Sequence, residues 1–97
     1  MSDLPSTYYI VIFRYKWSPH QTGYAEMSKR LNELVQKEEG FIKVTDYTNN
    51  EEGVSISYWK SKEAIDQWKR NSVHQEAIRL ASERWYESFS VEVAKVG

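Results

Sequence analysis

Five side chains with the makings of a site follow one another between residues 59 and 84: Trp59, Trp68, Asn71, His74 and Arg84. An imidazole with a pKa near 6.5 takes or gives a proton around neutral pH. Indole rings wall off a ligand from water, and an amide or a guanidinium can donate to a developing oxyanion. Together these groups could line an aromatic cavity with a proton-transferring group at its mouth. Tyr58, beside Trp59, and Phe13, in an earlier aromatic run, are further candidates for its lining. Each residue also has an ordinary role. Trp68 can pack a helix on a sheet, His74 can be a core histidine satisfied by one hydrogen bond, and Arg84 can pair with a carboxylate. Other chemistries are excluded. The chain has no cysteine, hence no thiolate nucleophile and no thiolate metal site. Its two histidines, His20 and His74, are too separated to build a metal cluster or a Ser-His-Asp set, and no phosphate loop is present.

The elements that must hold these residues are legible around them. Val54 to Lys60 is a strand, and Ser61 follows as an N-cap with Glu63 in the first helical turn. Ala64, Ile65 and Trp68 share a helical face. Ser72 with Gln75 forms a second capping box, so the helix breaks and restarts near Asn71. His74, Ala77, Ile78, Ala81 and Trp85 then make a second stripe, running to about Arg84. Upstream, Tyr8 to Trp17 is a strand with apolar residues on both faces, which predicts a central place in its sheet. A helix over Gln21 to Glu38 carries Tyr24, Met27, Leu31, Leu34 and Val35, and Gly40 stops it. Phe41 to Thr48 reads as an edge strand, with Asn49 to Gly53 as the hairpin turn. Tyr86 to Val96 closes the chain as a strand with Phe89, Val91 and Val93 on one face and Ser88, Ser90 and Glu92 on the other. Met1 to Thr7 reads as a disordered lead. Arg14 is placed to pair with Glu92 across neighbouring strands.

The order strand, helix, strand, strand, helix, strand predicts a single α+β domain over residues 1–97. Its core, about 8–96, is ferredoxin-like βαββαβ with a four-stranded antiparallel sheet. Helices cover only one face of such a sheet, so the two-sided first strand asks for a homodimer, two sheets stacked into a dimeric α+β barrel. Thirteen basic residues against 14 acidic, a net charge of −1, argue against nucleic acid or an anionic membrane as partner. With no apolar run of 18 residues and no leader pattern, the expected location is the cytoplasm.

Tyr-Trp-Lys-Ser-Lys-Glu-Ala at 58–64, then Trp68, His74 and Arg84-Trp85-Tyr86 before the last strand, resembles the antibiotic biosynthesis monooxygenase superfamily. The resemblance spans roughly residues 8–96. It implies a dimeric barrel and, by analogy with cofactor-independent members, a monooxygenase acting on a small aromatic, phenolic or quinol substrate without metal, flavin or haem. In that scheme His74 is the acid or base, Trp59 and Trp68 are walls, and Tyr58, Asn71 or Arg84 are donors. Haem-degrading members place an axial histidine where this chain has Ile78 and an asparagine where it has Phe13, so that activity fits less well. The alternative on the same fold is a non-catalytic ligand-binding or structural dimer.

Overall fold

A computed structural model describes residues 4–97. In chain order its elements are β1 (Tyr8–Trp17), α1 (Tyr24–Val35), β2 (Phe41–Thr48), β3 (Glu52–Trp59), α2 (Lys62–Lys69), α3 (Ser72–Leu80), a π-helical turn (Ala81–Trp85) and β4 (Tyr86–Val96). The expected lead at Met1 to Thr7 lies partly outside the described residues, and within them the backbone of Ser6 and Thr7 runs against Gly97.

The sheet is antiparallel throughout, in the order β2-β3-β1-β4. The strand with two apolar faces is thus central, and the Thr- and Lys-bearing β2 lies on an edge. Register settles the faces, because residues opposite each other on paired strands point the same way. Tyr9 pairs with Trp59, Val11 with Ser57 and Val93, and Phe13 with Ser55 and Val91. This is the face under the helices, where Trp59, Ile65, Trp68 and Val35 form one cluster with Tyr9, Val11, Leu31, Leu34 and Phe41 against it. A second cluster, Ala77, Ala81 and Trp85, packs on Tyr24, Met27, Leu31, Leu80 and Tyr86. The small Ala77 and Ala81 therefore let α3 approach α1 closely. The other face of the sheet carries Tyr8, Ile10, Ile12, Val54, Ile56 and Tyr58, with no helix over it.

The first helix is shorter at both ends than its periodicity predicts, since Gly23 takes a left-handed φ of 85° as its N-cap. Asn49 closes the hairpin by accepting from the N–H groups of Glu51 and Glu52, so the strand restarts at Glu52 rather than Val54. Gly53 belongs to the strand, where the Tyr15 ring lies over it in space that a side chain would occupy. Ser61 caps α2 as expected, its Oγ accepting from the Ala64 N–H at 3.1 Å. The cap of α3 is Asn71 and not Ser72. Its Oδ1 takes the N–H groups of Val73 and His74 at 2.9 and 3.2 Å. The π-helical turn has no counterpart in the sequence pattern. It is tied down where Ser18 donates from its N–H to the Trp85 carbonyl at 2.9 Å and from its hydroxyl to the Arg84 carbonyl.

Candidate functional site

Trp68, on the buried face of α2, is wedged into the first core cluster next to Val11. After the chain turns at Asn71, α3 lays the His74 ring on that indole, with centroids 5.1 Å apart and planes inclined by 41°. The cap bond from Asn71 to the His74 N–H fixes the backbone that carries the ring. His74 Nδ1 is buried and has no hydrogen-bond partner among the described residues. The satisfied core histidine expected from the sequence therefore lacks its bond at this atom. Burial, and to a lesser extent the Lys69 ammonium, hold the His74 pKa below 6.5, so the ring is neutral at neutral pH. A neutral imidazole with a free nitrogen can accept a proton.

His74 shares a helical stripe with the buried Ala77 and Ala81. One turn on from His74, Ile78 is 46% exposed. The helix layer stops short of the sheet edge. Phe89, Val91 and Val93 lie on the helix side of β4, yet they are 38%, 50% and 43% exposed. Phe13 continues this row on β1, its ring 5.5 Å from Phe89 and 5.3 Å from Tyr86. The helix side of the β1–β4 edge thus carries an exposed apolar row, while the His74 Nδ1 lies buried beside Trp68.

Of the seven residues singled out by spacing, the fold brings Trp68 and His74 together, with Phe13 on the adjoining sheet surface. Tyr58 is a correction. It pairs with Ile10 on the uncovered face, stacked with Tyr8 and under the Lys43 ammonium, with the whole sheet between it and His74. Trp59 is not a cavity wall either. It is 1% exposed, and its Nε1 donates to Ser57 Oγ at 2.9 Å, so it belongs to the core. Asn71 spends its acceptor on the helix cap and positions His74. Arg84 is exposed on the π-helical turn, ten residues past His74, a displacement of about 15 Å along a helix axis.

Two surface hollows lie elsewhere, and neither includes His74 or Trp68. One, of about 650 Å³ at the far end of the sheet, takes in Arg14, Lys16, Tyr47, Glu52 and Ser90. The other, of about 380 Å³, gathers Glu51, Glu52 and Glu87 around Lys16. In the first of them Arg14 makes the expected ion pair with Glu92. The missed feature of real consequence is the phenol cluster of Tyr15, Tyr24 and Tyr86. Their rings lie 4.5 Å apart (Tyr15 to Tyr86) and 6.1 Å apart (Tyr24 to Tyr86). Burial pushes the Tyr15 and Tyr86 phenols above 10, so both stay protonated. Only their density in the sequence hinted at it.

Among the described residues no group of three or more His, Cys, Asp or Glu is placed to hold a metal, and no helix is long and apolar enough to cross a membrane. Known proteins share both the fold and the sequence. The uncharacterized protein YqjZ of Bacillus subtilis (strain 168) is 39% identical over 90 residues, covering 92% of this chain and 79% of that one. The crystal structure of an antibiotic biosynthesis monooxygenase superposes with a TM-score of 0.74 at 14% identity, over 89% of this chain and 95% of its own. SnoaB, a cofactor-independent oxygenase from Streptomyces nogalater, gives 0.71 at 11% identity, over 93% and 91%. The sequence model of the Monooxygenase af470-like family matches residues 7–94, nearly the whole chain. By that match the chain belongs to the Monooxygenase af470-like family, and it shares its fold with the antibiotic biosynthesis monooxygenase and SnoaB structures.

Proposed function

We propose that the protein is a homodimeric monooxygenase that works without metal, flavin or haem on a small aromatic phenol or quinol. The observation that carries this reading is the buried, unpartnered His74 Nδ1, its ring packed on Trp68. A flat aromatic ligand that entered from the exposed Phe89, Val91 and Val93 row and displaced the packing over His74 would bring an acidic proton to the imidazole. Neutral His74 accepts it, leaving an electron-rich anion whose carbanion form reacts directly with dioxygen. The apolar walls keep water from that anion, and Trp68 holds the imidazole in place. Family membership and the likeness to SnoaB support an oxygenase, while the substrate class rests on the aromatic setting of His74 alone.

The second copy is assigned to the uncovered sheet face, where Ile10, Ile12, Val54 and Ile56 present one apolar surface. A non-catalytic ligand-binding dimer is the alternative, favoured by the described hollows lying away from His74 and Trp68. Oxygen uptake with a panel of quinols and polycyclic phenols separates the two. Consumption that needs both ligand and His74 is the expected result. Ligand binding without any uptake would leave the non-catalytic reading standing.

A further inference from the structure

We propose that β4 is a self-pairing edge, whose free side takes β4 of a second copy, antiparallel and centred on Val91. The inference does not depend on the oxygenase reading, and it concerns a different surface from the uncovered sheet face. Among the described residues β4 pairs only with β1, so one side of Tyr86–Val96 has no ladder. The opposite edge of the sheet is guarded. There β2 has only eight residues, carries Lys43 and Asp46, and breaks register between Phe41 and Lys43, all devices that deter edge-to-edge pairing. By contrast β4 has eleven residues and no proline, and its register break lies at one end, beside Trp17. Phe89, Val91 and Val93 leave a row of 38–50% exposed apolar side chains along its helix side.

Length, apolar row and charge agree on one register. A two-fold axis through a residue keeps opposite side chains on the same face of the extended sheet. With the axis at Val91 all eleven residues find a counterpart. Phe89 then meets Val93 of the second copy, an aromatic and β-branched pair of the kind that stabilises sheets. Glu87 comes level with Lys95 of the second copy, and symmetry repeats the match at the other end. Neither residue has an ion pair among the described residues. The neighbouring registers lose this match. An axis at Glu92 opposes two like charges, and an axis at Ser90 sets Glu87 against Val93. A single strand pair is a small contact of the reversible kind, so it should form at high protein concentration rather than in dilute solution.

The chain has no cysteine, so introduced ones report the contact directly. Val91→Cys should give a disulfide-linked pair on mild oxidation at high concentration, because opposite Cα atoms in this ladder lie about 4.5–5.5 Å apart. Val93→Cys should stay unlinked, since the axis leaves two such residues four positions, about 13 Å, apart. A sheet-face dimer alone would link neither, as both residues lie on the helix side. Adding Glu87→Lys should slow linking of Val91→Cys by about tenfold, and Lys95→Glu on top of it should restore the rate. Both positions are exposed, so these variants should fold with melting temperatures near that of the wild type. Linking at Val91 alone, lost and regained with the charges, would uphold the pairing. Linking at both positions alike, at neither, or at Val91 whatever the charges would overturn it.

Discussion

His74 pays a desolvation penalty at Nδ1 that no group among the described residues returns, of the order of 1–3 kcal/mol for an unpaired buried polar atom. Replacing it with phenylalanine keeps a ring on Trp68 and removes the orphaned nitrogen. Thermal unfolding of His74→Phe should therefore show unchanged or raised stability, whereas oxygen uptake should fall about 10²–10⁴-fold. The wild type should also show a pH dependence that the variant lacks. The folded pKa of His74 lies below its unfolded value of about 6.5, so the unfolded chain binds the proton more readily. Stability attributable to this residue is complete above pH 6.5 and is lost as pH falls from there through the folded pKa. Loss of stability on the acid side that persists in His74→Phe would show that another group is responsible. A second expectation concerns haem. Ile78 offers no ligand, so titration with haem should give no stoichiometric Soret band. A band that vanishes in His74→Ala would make His74 an iron ligand instead.

At the scale of elements, the turn between α2 and α3 connects stability to the site. Asn71→Ala removes the acceptor for two helix N–H groups and should destabilise the fold by about 0.5–2 kcal/mol in chemical denaturation. It should also loosen the His74 backbone, lowering turnover more than ligand affinity. Asn71→Ser, which can cap, should recover both. Equal losses in the alanine and serine variants would mean that the amide has a direct role in the reaction. Sequence reasoning placed a helix start here but chose Ser72, since adjacent Asn and Ser are both good caps and pattern alone cannot rank them. The same holds for Tyr58 and Trp59. Neighbours on a strand always point to opposite faces, and both are aromatic. Only the pairing of Tyr9 with Trp59 decides which one meets the helices. Patterns of period 2 and 3.6 were enough for the strands, the two main helices and the split of β4 into apolar and polar sides. They carried no mark of the π-helical turn, which depends on the distant Ser18, and so gave no warning that Arg84 lies apart from His74.

For the molecule as a whole, the uncovered sheet face is the main unmet demand. Six apolar or aromatic residues from β1 and β3 line it. Burying them against a second copy should give a stable dimer with an interface of roughly 2,000 Å² or more in total, typical of obligate homodimers. Sedimentation equilibrium at micromolar concentration should return twice the chain mass of 11.5 kDa. Ile12→Lys, in the middle of that face, should shift the species to monomer and lower the melting temperature. A wild type that stays monomeric would sink the pairing and leave the face to some other cover.

The strand order has a consequence for how the chain comes into being. β1 is made first, yet one of its two neighbours, β4, is made last, with Tyr8 opposite Val96. During synthesis at about 5–20 residues per second, the roughly 80 residues after Trp17 take about 4–16 s to appear. Throughout that interval the most apolar strand of the protein has an unpaired edge. β3 can cover the other side earlier, so a three-stranded β2-β3-β1 intermediate under α1 is the natural waiting state. Nascent chains truncated before Tyr86 should therefore be the aggregation-prone and chaperone-bound species, and pairing with the last strand should be the step that releases them.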